Sequence, residues 1–161
     1  MIRRTLPNAV VIACITLAWP SVAADEAVVM DAGFKLTAVR QARLKGFVLR
    51  LAKNFTARRN EAQPYAGTGL TPLYGACVLP LARTFDGNEM AATAPDRVVT
   101  WPADGHQIRA EIWHNLFLPG VVPDPQNETF QVVAIYEPRY SQPWLLATDL
   151  PLAPPTIQAL Y

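Results

Sequence analysis

The residues best suited to chemistry in this 161-residue chain are one aspartate and a run of basic side chains close behind it. Asp31 follows the apolar run 27–30 and precedes Ala32, Gly33 and Phe34. A strand that ends on a carboxylate and turns at a glycine is how α/β sheets present an acid to a ligand. The same residue also fits an ordinary turn or helix-capping aspartate before glycine. Arg50, Lys53, Arg58 and Arg59 come next. They suit the phosphates of a polyanion, or a solvated basic face. Eight of the 14 lysines and arginines lie within residues 31–61 beside two acids, while nine acids and four arginines follow residue 62. With half the residues apolar and a net charge of +1, the whole chain is neither disordered nor strongly drawn to nucleic acid, so a polyanion should meet the first region. His106 and His114 have no partner at metal-ligand spacing, and Cys14 and Cys77 have no second thiol nearby. The cysteines read as small buried apolar residues in a reducing compartment. Gly67-Thr68-Gly69 is too slight to be a phosphate loop.

The spacing of apolar residues predicts the elements that position these groups. Residues 27–30 form a strand, and 36–44 an amphipathic helix with Leu36, Val39, Ala42 or Arg43, and Leu44 on one side and the arginines on the other. Gly46 ends that helix and 47–51 form a second strand, so strand, helix and strand place two parallel neighbours side by side. Thirteen of the 15 prolines come after residue 63, where the text changes to short alternating runs between turns. Strands are expected at 75–82, 97–101, 107–113, 130–136 and 144–148, with tight turns at Asp86-Gly87-Asn88 and Asp104-Gly105. Trp101 and Trp113 are cross-strand packing residues in this reading. A short helix begins near Thr156.

Residues 1–25 carry two readings. Arg3 and Arg4, the apolar run 9–19, Pro20 and the small residues Ser21, Ala23 and Ala24 have the form of a secretory signal. The run is short for a membrane span. In view of the residues that follow, 10–17 is better explained as a buried helix packed before the Asp31 strand.

Two stretches, Val28-Val29-Met30-Asp31-Ala32-Gly33-Phe34 and Gly46-Phe47-Val48-Leu49-Arg50-Leu51-Ala52-Lys53-Asn54, resemble the second-aspartate region of DDE transposases of the insertion-sequence-four type. Trp144-Leu145-Leu146-Ala147-Thr148, with Pro151 and Tyr161, resembles the approach to that family's Tyr, Arg, Glu and Lys signature. The resemblance covers residues 25–161. It implies an α/β fold: a partial ribonuclease-H-like core at 1–62, a mostly antiparallel β-rich insertion at 63–150, and the start of a returning core helix at 151–161. It implies strand cleavage and transfer at phosphodiesters, with two Mg²⁺ or Mn²⁺ ions about 3.5–4 Å apart held by three carboxylates. Asp31 would be the second carboxylate, catalytic and metal-binding. The first would lie on an upstream strand hairpin, for which there is no room before Ala27, and the third beyond Tyr161. The chain alone is therefore expected to be inactive. The resemblance further makes Arg50, Lys53, Arg58 and Arg59 DNA-backbone contacts and Trp144 a base-stacking residue. It implies DNA and intact transposase as partners, no membrane, and a cytoplasmic location. The alternative is a small exported β-rich binding module that matures after Ala24.

Overall fold

The computed structural model describes residues 2–5, 9–12, 26–61, 64–65, 67–69, 74–119 and 129–161, with side chains described from residue 27 onward. Two strands open the chain, β1 (Ile2–Thr5) and β2 (Ala9–Ile12), followed by β3 (Glu26–Met30), α1 (Leu36–Gln41) and β4 (Phe47–Arg50). Next come β5 (Ala57–Arg59), β6 (Cys77–Val78), β7 (Arg83–Phe85) and β8 (Asn88–Met90). β9 (Arg97–Ala103), β10 (His106–Phe117), β11 (Phe130–Tyr136), β12 (Trp144–Thr148) and α2 (Pro154–Leu160) complete it. The protein is mixed α/β and mostly strand.

Ten of the described strands share one mixed sheet in the order β2-β1-β3-β4-β12-β11-β10-β5-β6, with β9 also on β10; β7 and β8 pair apart. β3 and β4 are parallel, with Val29 opposite Val48, as the strand–helix–strand spacing predicts. β4 then joins β12 antiparallel, Arg50 opposite Leu146, so the sheet runs unbroken from the first 62 residues into the segment that follows. β10 is twelve residues long. Its first half pairs with β9 and its last residues with β5, along the same edge. Between them Asn115 takes φ +52°, and the register on β11 slips between Trp113 and Leu116. This bulge turns both Trp113 and Leu116 to the same face of the sheet.

Both faces are buried, which is why β11 and β12 read as mostly apolar runs. On one face Leu36, Val39 and Leu44 of the α1 segment cover Val28, Phe47, Leu49, Trp113 and Val132. On the other, Ile157 and Leu160 of α2 cover Val29, Val48, Ile135 and Leu146. Pro154 starts α2, where a missing N–H costs nothing. Both hairpin turns form where expected: Asp86-Gly87 and Asp104-Gly105 each have positive φ at both residues.

Several expectations need correction. α1 stops at Gln41, short of Leu44, and Arg43 (φ +52°), ahead of Gly46, takes the left-handed position. The Arg43 and Leu44 N–H groups close the helix on the carbonyls of Arg40 and Val39, and Leu44 packs into the same core as Val39. Arg40, expected on the solvated side, is 2% exposed, with its guanidinium 5.9 Å from the ring centres of both Phe47 and Phe130. The strand expected at 75–82 shrinks to Cys77–Val78, as Pro80 offers no N–H to a ladder. Cys77 is exposed, not buried. Residues 9–12 are strand where a helix at 10–17 was expected, and β1 and β2 form a hairpin before Ala27 where none was. Val10, Val11 and Ile12 are β-branched and suit a pleated strand. β1 pairs antiparallel with β3. Cys14 and the remainder of the signal-like run, 13–25, lie outside the described residues.

Candidate nucleic-acid interface

One rim of the sheet gathers the ends of β3, β4, β11 and β9 with the starts of β12 and β10. Five inter-strand steps of about 4.8 Å make it about 24 Å wide. Asp31 stands there, exposed, one residue past β3. Phe34 N–H closes a turn on the Asp31 carbonyl, and Ala32 N–H donates to Asp31 Oδ1 at 2.7 Å. The N-cap of α1 is Lys35, so Asp31 is a turn residue and not a helix cap. Tyr161, at the end of α2, donates its hydroxyl to the same Oδ1 at 2.7 Å. This bond, the Ala32 N–H and the nearby Arg50 charge hold the Asp31 carboxyl below its ordinary value despite a small opposing effect of burial. Burial and the bond to Asp31 raise the Tyr161 phenol, with Arg50 acting against them.

Arg50 lies over the Tyr161 ring at 5.8 Å, and Trp144 meets that ring edge-on at 5.6 Å. Tyr140 flanks Trp144 at 5.1 Å. Three of the residues singled out in the sequence, Asp31, Arg50 and Trp144, are thus joined through Tyr161. Lys53 is exposed in the turn just beyond β4, at the same rim. No sequence signal joins Tyr161 to Asp31, because the pair is 130 residues apart.

Arg58 and Arg59 lie elsewhere. From β4 to β5 the sheet order interposes β12, β11 and β10, a lateral separation of about 19 Å. β5 also pairs with the far end of β10, opposite the rim. Arg58 donates to the Gly75 carbonyl at 3.3 Å. Arg59 forks onto Asp96 at 2.6 and 2.7 Å and donates to the His114 carbonyl at 2.9 Å. The four basic residues are two pairs, one at the rim and one bound into the loops around β10.

Burial pushes the Asp96 carboxyl up, but the Arg59 guanidinium and the His114 N–H outweigh it and hold it below 3.8. A depressed carboxyl contributes stability that is present above its unfolded value and lost as pH falls through the folded one. The stability gap between the native protein and Asp96→Asn should therefore narrow below pH 3.8. Urea melts from pH 6 down to about pH 2 check this, and a gap that stays constant would refute it.

Among the described residues no group of three His, Cys, Asp or Glu side chains could hold a metal. Asp31 alone, with one oxygen already accepting two hydrogen bonds, does not fit a two-ion site, and no chemical step through a metal follows from these residues. A cleft of about 640 Å³ lies at the opposite end of the sheet beside Asp149 and Pro154, and neither Asp31, Arg50, Lys53 nor Trp144 lines it. No helix among the described residues is long and apolar enough to cross a membrane. Compared with protein-family models, curated proteins and solved structures, the chain matches none.

Proposed function

We propose that this chain is a DDE-type transposase unit, a ribonuclease-H-like core with a β-rich insertion, that engages DNA without cutting it alone. The observation that carries the reading is the parallel β3–α1–β4 unit, which presents exposed Asp31 at a strand end beside Arg50, Trp144 and Tyr161. A cation beside a cluster of aromatic rings around one strand end suits a phosphate and an unstacked base. The ancestral reaction would use Mg²⁺ or Mn²⁺, and the partner in this reading is intact transposase. Cytoplasmic residence belongs to the same reading: cleavage after Ala24 would strip β1 and β2, whose backbones hydrogen-bond to the sheet beside β3.

The test is binding to end-labelled duplex and single-stranded oligonucleotides across a salt series. Two phosphate contacts give a log–log slope of about −2 on duplex DNA. Arg50→Ala with Lys53→Ala should abolish most of that slope, while Arg58→Ala with Arg59→Ala should leave it. With Mg²⁺ or Mn²⁺ no strand should be nicked. Binding indifferent to Arg50 and Lys53 would remove the rim from the reading. Metal-dependent nicking lost in Asp31→Ala would mean that further carboxylates complete the site.

A further inference from the structure

On the α1 side of the same rim a second cavity, of about 440 Å³, opens between the turn after β4, the start of β7 and the segment before β12. That is within the range of about 300–1,000 Å³ typical of small-molecule sites. Leu81, Ala82, Pro143 and Tyr136 supply apolar surface, and Lys53, Asn54, Arg83 and Gln142 the polar groups. Among the described residues no carboxylate lines it. Arg83 reaches from β7 to donate through Nη1 to the Asn54 carbonyl, which fixes the guanidinium against the turn that carries Lys53. Its Nε is buried and has no hydrogen-bond partner among the described residues. The Tyr136 hydroxyl is engaged by Glu111 at 2.8 Å. Glu111 in turn is neutralised by Arg109.

Two cations, Lys53 and Arg83, with no acid among the described lining residues favour an anion. An apolar surface of this extent exceeds what a bare anion can use, and side-chain amides are suited to the polar edge of a nucleobase. We propose that this cavity binds a nucleoside phosphate, with the phosphate between Lys53 and Arg83 and the base against Leu81, Pro143 and the Tyr136 ring. The inference shares Lys53 with the transposase reading but needs neither Asp31, Arg50 nor Trp144.

Amide chemical-shift mapping of the full chain tests it with three probes: deoxyadenosine monophosphate, deoxyadenosine and inorganic phosphate. The monophosphate should shift amides around Lys53, Asn54, Ala82, Arg83 and Gln142, and bind at least about tenfold tighter than either other probe. Lys53→Ala should weaken it about tenfold, the scale of one charge-assisted hydrogen bond. Arg83→Lys, which keeps the charge and spares the fold, should weaken it as well through loss of the guanidinium fork. Equal affinity for phosphate and the monophosphate would overturn the proposal. So would shifts confined to Arg50, Trp144 and Tyr161, or none at millimolar ligand. Oligonucleotide binding separates the two readings. DNA bound without the monophosphate sinks the cavity alone, and the monophosphate bound without DNA sinks the transposase reading and leaves the cavity standing.

Discussion

Replacing Trp113 with alanine is expected to remove about 3–5 kcal/mol of stability, the usual cost of emptying a large aromatic site in a core. Trp113 is fully buried against α1 and its neighbours in the sheet. Its indole N–H donates to the Thr93 and Ala94 carbonyls at 3.0 and 3.1 Å, which anchors the segment leading into β9. Truncation therefore leaves a cavity and deprives two carbonyls of their donor at once. For a chain of this size that is a fall in Tm on the order of 10 °C. Trp113→Phe, which keeps most of the packing and loses the hydrogen bond, should fall between the two. Urea melts decide it: a loss under about 1 kcal/mol for Trp113→Ala would mean that the site collapses to fill itself.

The second large effect is expected at Gly75. A Cβ placed there would lie 2.2 Å from the Glu61 carbonyl oxygen, 2.7 Å from the Arg59 carbonyl oxygen and 2.6 Å from Arg59 Cβ. Two of those atoms are backbone, so β5 and the segment entering β6 must separate. That also strains the Gly75 N–H bond to the Arg59 carbonyl at 3.0 Å and the Arg58 bond to the Gly75 carbonyl. Gly75→Ala should cost about 1–3 kcal/mol, as overpacking does. Gly33→Ala is the control, because a Cβ at Gly33 meets no described residue within 4 Å, and it should change stability by less than about 1 kcal/mol. Equal melts for the two variants would refute the close approach at Gly75.

The contrast between these glycines shows how far the sequence could be read. Asp-Gly pairs announced both tight turns because positive φ is a property of the residues themselves, although the short strands β7 and β8 flanking the first were not read. β11 and β12 were legible to the residue, since a largely buried strand writes its burial into a mostly apolar run, here broken only by Gln131 in β11 and closed by Thr148 in β12. The apolar text at 9–12 was not, because a short run of that kind fits a buried helix or a strand equally well, and pairing with β1 decides. Arg40 was misread because helical periodicity cannot show that two phenylalanines will receive a cation. At the rim, residue types pointed to Asp31, Arg50, Lys53 and Trp144. The separation of Arg58 and Arg59 from them was hidden, because neighbours in sequence become distant once three strands stand between β4 and β5.

The strand order also governs how the molecule can assemble. β9 to β12 form a meander whose partners are close in sequence, with a two-residue turn between β9 and β10. Such pairings cost little loop-closure entropy and can form early. β4 must wait for β12, since Arg50 pairs with Leu146. During synthesis from the N-terminus, the β3–β4 pair is therefore complete long before its partner exists, and its apolar edge stays open until residue 148 has been made. Through that interval the edge is a template for any other unpaired strand, and the nascent chain is at its most prone to aggregation.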